Sequence, residues 1–254
     1  SLTMREVFIT MLLLYGLLYV TLWVKTKKLL YAFIAFIVFS TQLFLHPGVA
    51  TAGILFLGIL LLYHIKTLFS NLSSKASIDM KSLLIVLCVL LVGFYAYKFS
   101  SSISFPYFTW LNIENLIVRV SYMNEGPAAY PSWIMAENIT QYILLLVPKL
   151  FYFLFSPFPW DVTKLKHLLG MLDGVFYLML CISIFSYRKY IKSNPRALIL
   201  LLFLIFLSLI FTVAVGNFGT GLRHRSKLVP IIIILASPMI YQLFFFMKKK
   251  LKLE

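Results

Sequence analysis

The stretch VFITMLLLYGLLYVTLWVKTKKLLYAFIAFIVFSTQLFLHPG, residues 7–48, decides the fold class. Residues 7–24 and 29–45 contain no charged side chain, each approaches the ~20 residues that cross a bilayer as a helix, and Lys25, Lys27 and Lys28 divide them. His46-Pro47-Gly48 then reads as a tight turn joining two antiparallel helices. Similar apolar runs follow at 49–63, 83–97, 168–186, 197–215 and 228–247.

The composition agrees: 61% of the 254 residues are hydrophobic and 12% charged, about half the charged fraction of a soluble domain. Because lipid offers no partner to open backbone groups, the spans must be helical. The expected fold is all-α: one polytopic transmembrane helical bundle over residues 1–254, with about seven spans plus one re-entrant or interfacial segment. The chain opens SLTMREVFIT without an initiator Met, and KTKK rather than a small-residue cleavage site follows the first run. It is therefore expected to be the C-terminal part of a longer protein.

The formal net charge of +15 does not point to nucleic acid, since the basic residues form short clusters at the ends of apolar runs. Cys88 and Cys181 lie inside such runs and are expected to pack as small hydrophobes. The sequence has no phosphate-cradling Gly-rich loop with a Lys, no paired metal-ligand histidines and no serine-nucleophile elbow. No cofactor and no metal are expected.

Lys and Arg in short loops mark the cytoplasmic side. Lys25, Lys27 and Lys28 place the first loop inside; Lys66, Lys75 and Lys81 do the same for residues 64–82. Arg188, Lys189, Lys192 and Arg196, then Lys248, Lys249, Lys250 and Lys252, mark two more inner segments and a cytoplasmic C-terminus. Segment 98–141, nearly neutral, falls outside. Residues 142–155 then have both ends outside, as Pro148 and Lys149 within them favour. This topology puts 14 of the 23 Lys and Arg inside, whereas a crossing at 142–155 leaves 11 inside.

Against that orientation, GNFGTGLRHRSKLVP (216–230) carries Arg223, His224, Arg225 and Lys227 on the outer face. Arginine forks suit phosphate or diphosphate oxygens, glycines 216, 219 and 221 allow a close approach, and a helix starting near Ser226 would add N-terminal amides. Contact with headgroup phosphates, or pairing with outer carboxylates, explains the cluster equally well. In YFLFSPFPWD (152–161), Tyr152 and Trp160 either stack on sugar rings, with Asp161 taking hydroxyls, or form an interfacial anchor. Asp173, inside a span, calls for a partner such as an outer arginine, as a structural ion pair or a catalytic base. Within 98–141, Leu111, Ile113, Leu116, Ile117 and Val120 leave Glu114 and Arg119 on other faces, the pattern of a helix on the membrane surface. Asn138-Ile139-Thr140 matches a glycosylation acceptor, a pattern short enough to recur by chance.

On PSW (131–133), YFLFSPFPWD and GTGLRHR (219–225) followed by Pro230, the chain resembles multi-spanning membrane proteins of bacterial surface-polysaccharide clusters. These are loosely related to O-antigen polymerases and polyprenyl-phosphate-dependent membrane glycosyltransferases. The resemblance covers about half the chain through short motifs. It implies an inner-membrane protein with an outer-face cavity for a lipid-linked saccharide, and other polysaccharide-assembly proteins as partners. By that resemblance Arg223 and Arg225 would hold the leaving diphosphate and His224 would take the acceptor's proton in a metal-independent transfer; by their own positions Lys227 is a further diphosphate ligand and Asp173 a further candidate base. The acidic residue that such transferases carry in their first outer loop has no clear equivalent here. A carrier or flippase for an anionic lipid-linked sugar, and a non-catalytic membrane subunit, are the alternatives.

Overall fold

The computed structural model describes residues 2–73, 79–102 and 113–251. They form twelve α-helices, and the only β pairing among them is an isolated antiparallel bridge between Ala129 and Asn217. The first helices are α1 (Leu2–Thr26), α2 (Leu29–Leu45), α3 (Pro47–Ser73) and α4 (Met80–Ser102). Next come α5 (Ile113–Met123), α6 (Ile139–Leu144), α7 (Leu146–Phe155) and α8 (Leu165–Ser186). The chain continues through α9 (Arg188–Ser193), α10 (Pro195–Ala214), α11 (Phe218–Arg225) and α12 (Val229–Leu251). Every apolar run read from the sequence is helical.

Among the described residues, four stretches are long and apolar enough to cross a membrane: Met4–Thr26, Pro47–Asn71, His167–Ser186 and Pro195–Ala214. Leu29–Leu45 and Leu146–Phe155 are shorter apolar helices, and Met80–Leu91 of α4 and Val229–Gln242 of α12 are shorter apolar stretches with described side chains. Of the residues weighed above, Lys75, Leu111 and Lys252 lie outside the described residues, as do the side chains of Ile113, Glu114, Leu116 and Lys248 to Lys250.

The turn at residues 46–48 forms as its composition dictates. The His46 amide closes α2 on Gln42 O at 2.7 Å, Pro47 opens α3 where its missing N–H costs nothing, and His46 Nδ1 accepts from the Val49 amide at 3.3 Å. Helices α1, α2 and α3 then pack in sequence, and α10 is the hub, touching α1, α3, α7, α9, α11 and α12. Its Phe203 stacks on Phe39 of α2 at 5.8 Å, and Phe211 meets Phe153 of α7 at 6.2 Å. In α8, Gly170, Gly174, Tyr177 and Leu180 face inward, while Leu169, Leu172, Phe176 and Met179 face out at helical spacing. A Cβ at Gly174 would lie 2.2 Å from Phe155 O, so glycine lets the end of α7 rest directly on α8.

Contacts sort the loops into two ends. At one end the start of α1 meets α11 through Glu6, and His46 meets His224. The same end holds the Ala129–Asn217 bridge and the end of α7. At the other, Lys27 Nζ lies 4.4 Å from the Tyr63 ring, and Tyr187 bonds Gln242. Both ends of 142–155 lie at the first end: Tyr142 donates to Val213 O, and Leu154 O accepts from Arg225 at 2.6 Å.

Candidate functional site

The GLRHRSK stretch is helical up to Arg225. Asn217 caps α11, its Oδ1 accepting from the Thr220 amide at 2.8 Å, while its Nδ2 donates to Met123 O at 2.8 Å. This ties the helix to the end of α5. Gly216 is needed there, since a Cβ would sit 2.6 Å from Val120 O. The close approach anticipated at the glycines is thus made by the protein's own chain.

A helix start near Ser226 does not occur. The amides of Ser226, Lys227 and Leu228 turn back onto Leu222, His224 and Arg225 carbonyls at 3.0, 3.3 and 2.8 Å, and α12 begins at Val229. Those amides are engaged, and Arg223 and Arg225 occupy the C-terminal turn of α11, where positive charge complements the helix dipole, with Lys227 just beyond it.

Each cation has a different environment. Arg225 is fully buried; Nη1 donates to Leu154 O at 2.6 Å and Ser156 O at 3.0 Å, and Nη2 pairs with Asp173 Oδ2 at 2.7 Å. Its guanidinium also lies 4.7 Å from the Tyr177 ring centre. The arginine partner expected for Asp173 is therefore Arg225, which also caps the C-terminal carbonyls of α7. Lys227, likewise fully buried, reaches Glu6 Oε2 at 2.6 Å and Arg223 O at 3.2 Å. Arg223, with a side chain 47% exposed, donates from Nε to Glu6 Oε1 at 2.8 Å. Glu6 thus bridges Arg223 and Lys227, a role the sequence reading missed because this lone carboxylate sits at the edge of an apolar run.

His224 stacks on Phe211 at 5.0 Å and meets His46 edge-on at 5.2 Å. Burial, then the Lys227 charge, pulls the His224 pKa down to about 3, and the same two causes take His46 to about 4. Both imidazoles are neutral at pH 7. A lysine only donates, so His224 Nδ1, 3.4 Å from Lys227 Nζ, is the acceptor of that contact. A base with a pKa of about 3 takes a proton weakly at neutral pH. Asp173 keeps a side chain 41% exposed and one oxygen beyond the Arg225 bond.

Beside this network lies an aromatic shelf. Trp160, 71% exposed, stacks on Phe158 at 4.9 Å and 13° and donates its indole N–H to Tyr152 Oη at 3.2 Å. Tyr152 itself is buried among Tyr130, Trp133 and Phe158, so it supports the shelf and offers no face of its own. Asp161 Oδ2 accepts from the Phe158 amide at 3.0 Å and closes this turn, and partial burial raises its pKa. Trp133, exposed like Trp160, and Phe158 are the shelf members the sequence reading left out. The shelf joins the network through Ser156, whose carbonyl Arg225 holds.

Among the described residues no group of His, Cys, Asp or Glu could hold a metal ion. No family model, curated protein or solved structure matches the chain. The chemistry of the site therefore rests on its residues.

Proposed function

We propose that this end of the bundle handles a polyprenyl-diphosphate-linked saccharide at the outer face of a bacterial inner membrane, in glycosyl transfer or polymerisation for cell-surface polysaccharide. The observation that carries the reading is the juxtaposition of a cationic cluster with an exposed aromatic shelf. In this network and shelf Arg5, which donates to Leu45 O, Arg223, Arg225 and Lys227 outnumber Glu6, Asp161 and Asp173, beside the exposed Trp160 and Trp133. An anionic diphosphate suits the first, and a sugar ring the second.

The reading includes a topology of seven crossings with the C-terminus cytoplasmic. Segment 142–155 enters and leaves at the outer face: α7, at ten residues, measures ~15 Å, half the ~30 Å hydrocarbon core.

In the reaction, the sugar C1–O bond to the diphosphate breaks as the acceptor hydroxyl oxygen bonds to C1. The diphosphate leaves with the electron pair, and the hydroxyl proton passes to a base. Arg223, half-exposed, is placed to stabilise the developing charge. Asp173 suits the proton acceptor better than His224, because its carboxylate is partly open while the imidazole is buried and faces a lysine. Arg225 and Lys227 hold the scaffold under both.

The test is the surface-polysaccharide size profile, with mass analysis of the lipid-linked repeat, for Arg223→Ala and Trp160→Ala in cells. Both variants should insert normally and cut polymer at least ten-fold. A complete repeat that accumulates identifies a polymerase, and a repeat lacking one sugar identifies a transferase. Normal polymer in both variants would sink the reading.

A further inference from the structure

At the end of the bundle opposite Arg225, a groove of about 240 Å³ opens where α1, α9, α10 and α12 meet. At ~30 Å³ per water it has space for roughly eight waters, enough for a small headgroup and the start of a chain. Its rim offers hydrogen-bond donors. Asn194 caps α10 with Oδ1 accepting from the Arg196 amide at 3.1 Å, so its amide nitrogen points away and donates to Tyr190 Oη at 3.2 Å. The Tyr190 hydroxyl, already accepting, has its own proton to give. Arg196 is exposed on the same rim, and residues 186–200 hold Arg188, Lys189, Lys192 and Arg196 with no carboxylate.

The floor is different. Leu200, Leu235 and Pro238 line it. Pro238 lacks the N–H that would bond Ile234 O, and Ser237 Oγ donates to that carbonyl at 2.8 Å, so the wall stays apolar.

We propose that this groove binds an anionic phospholipid, its phosphate on Tyr190, Asn194 and Arg196 and its first acyl methylenes against Leu200, Leu235 and Pro238. A guanidinium with amide and hydroxyl donors beside it and no carboxylate on the rim favours an anion, and an apolar floor beneath them selects one that carries a chain. A soluble phosphate would use only the rim.

The experiment is native mass spectrometry of the full chain released from nanodiscs holding equal phosphatidylglycerol and phosphatidylethanolamine. The unmodified chain should retain the anionic lipid at least five-fold over the zwitterionic one. Arg196→Gln, which removes the charged donor, and Ala197→Phe, which fills the groove, should each lower that retention at least five-fold at an unchanged melting temperature. Lys192→Gln, whose side chain does not line the groove, should retain the lipid fully. Equal retention of the two lipids, undiminished retention in Arg196→Gln, or the same loss in Lys192→Gln overturns the proposal.

Discussion

The two ends of this bundle use the same residue types in opposite ways. At the α11 end, Arg225 and Lys227 are fully buried, each against a named carboxylate and backbone carbonyls. At the α9 end, Arg188, Lys189, Lys192 and Arg196 are all exposed, with no acid among their neighbours in sequence. A cation taken out of water must have partners, so the first set is committed to architecture. Cations left at the surface keep their hydration and act through the field they project. Charge clusters that look alike in sequence therefore predict different consequences when removed.

The largest effect should come from Arg225. Arg225→Met would strip the buried carbonyls of Leu154 and Ser156 of a donor and leave Asp173 without its cation. An unsatisfied buried carbonyl costs ~1–3 kcal/mol, and Asp173 adds less because its side chain is 41% exposed, so a loss of ~3 kcal/mol is expected, measurable by denaturant unfolding in detergent. Arg225→Lys should recover only part, because an ammonium lacks the planar fork that reaches carbonyls and carboxylate together. A loss under ~1 kcal/mol for Arg225→Met would erase the contrast between the ends.

Next in size is Glu6→Gln, which leaves Lys227 buried without its counter-charge at 2.6 Å. We expect a loss of ~2 kcal/mol, below the figure for a fully buried pair because Glu6 retains some exposure. Adding Lys227→Met to Glu6→Gln should return much of it, since the stranded charge is then gone. Additive losses in that double-mutant cycle would mean that the Glu6–Lys227 pair contributes little.

How much of this was legible beforehand follows the same division. Spacing and charge place the long apolar helices, because a bilayer permits few other structures, and the turn at His46-Pro47-Gly48 is dictated by residue type; the short basic helices α9 and α11 carry no such apolar signal. That Asp173 needs a cation follows from its position in an apolar run, and Arg225 meets that need. What sequence could not give is that two of the three neighbouring cations, Arg225 and Lys227, are buried while Arg223 is not. Arg223 and Arg225 differ only in which side of a two-turn helix they occupy, and that depends on Asn217 anchoring α11 to α5, a contact 94 residues apart in the chain. Glu6, 217 residues from Arg223, was invisible for the same reason.

A smaller effect should appear with pH. His46 and His224 have folded pKa values of about 4 and 3, below the ~6.5 of an exposed imidazole. Between those limits the unfolded chain binds more protons, so stability is complete above about pH 6.5 and declines as pH falls towards 4. The charged groups facing this pair are Lys227, Arg223 and Glu6. Melting temperatures measured from pH 7.5 to 4.5 should fall, and His224→Gln should flatten the profile. An unchanged profile in that variant would show that other groups govern the decline.

The smallest effect belongs to the exposed end and sharpens the comparison most. Lys189→Gln and Lys192→Gln each remove a surface charge with no carboxylate nearby in sequence, and surface changes of this kind usually stay within ~0.5 kcal/mol. Their melting temperatures should match that of the unmodified chain. What they should alter is the field that orients the chain during insertion, since Lys and Arg near span ends set topology by their number. Reporter cysteines at position 193 should therefore remain protected from outside in either single variant. They should begin to label once Arg188, Lys189, Lys192 and Arg196 are all replaced. If position 193 stays protected in the fourfold variant, its orientation is set by packing and not by charge at this end.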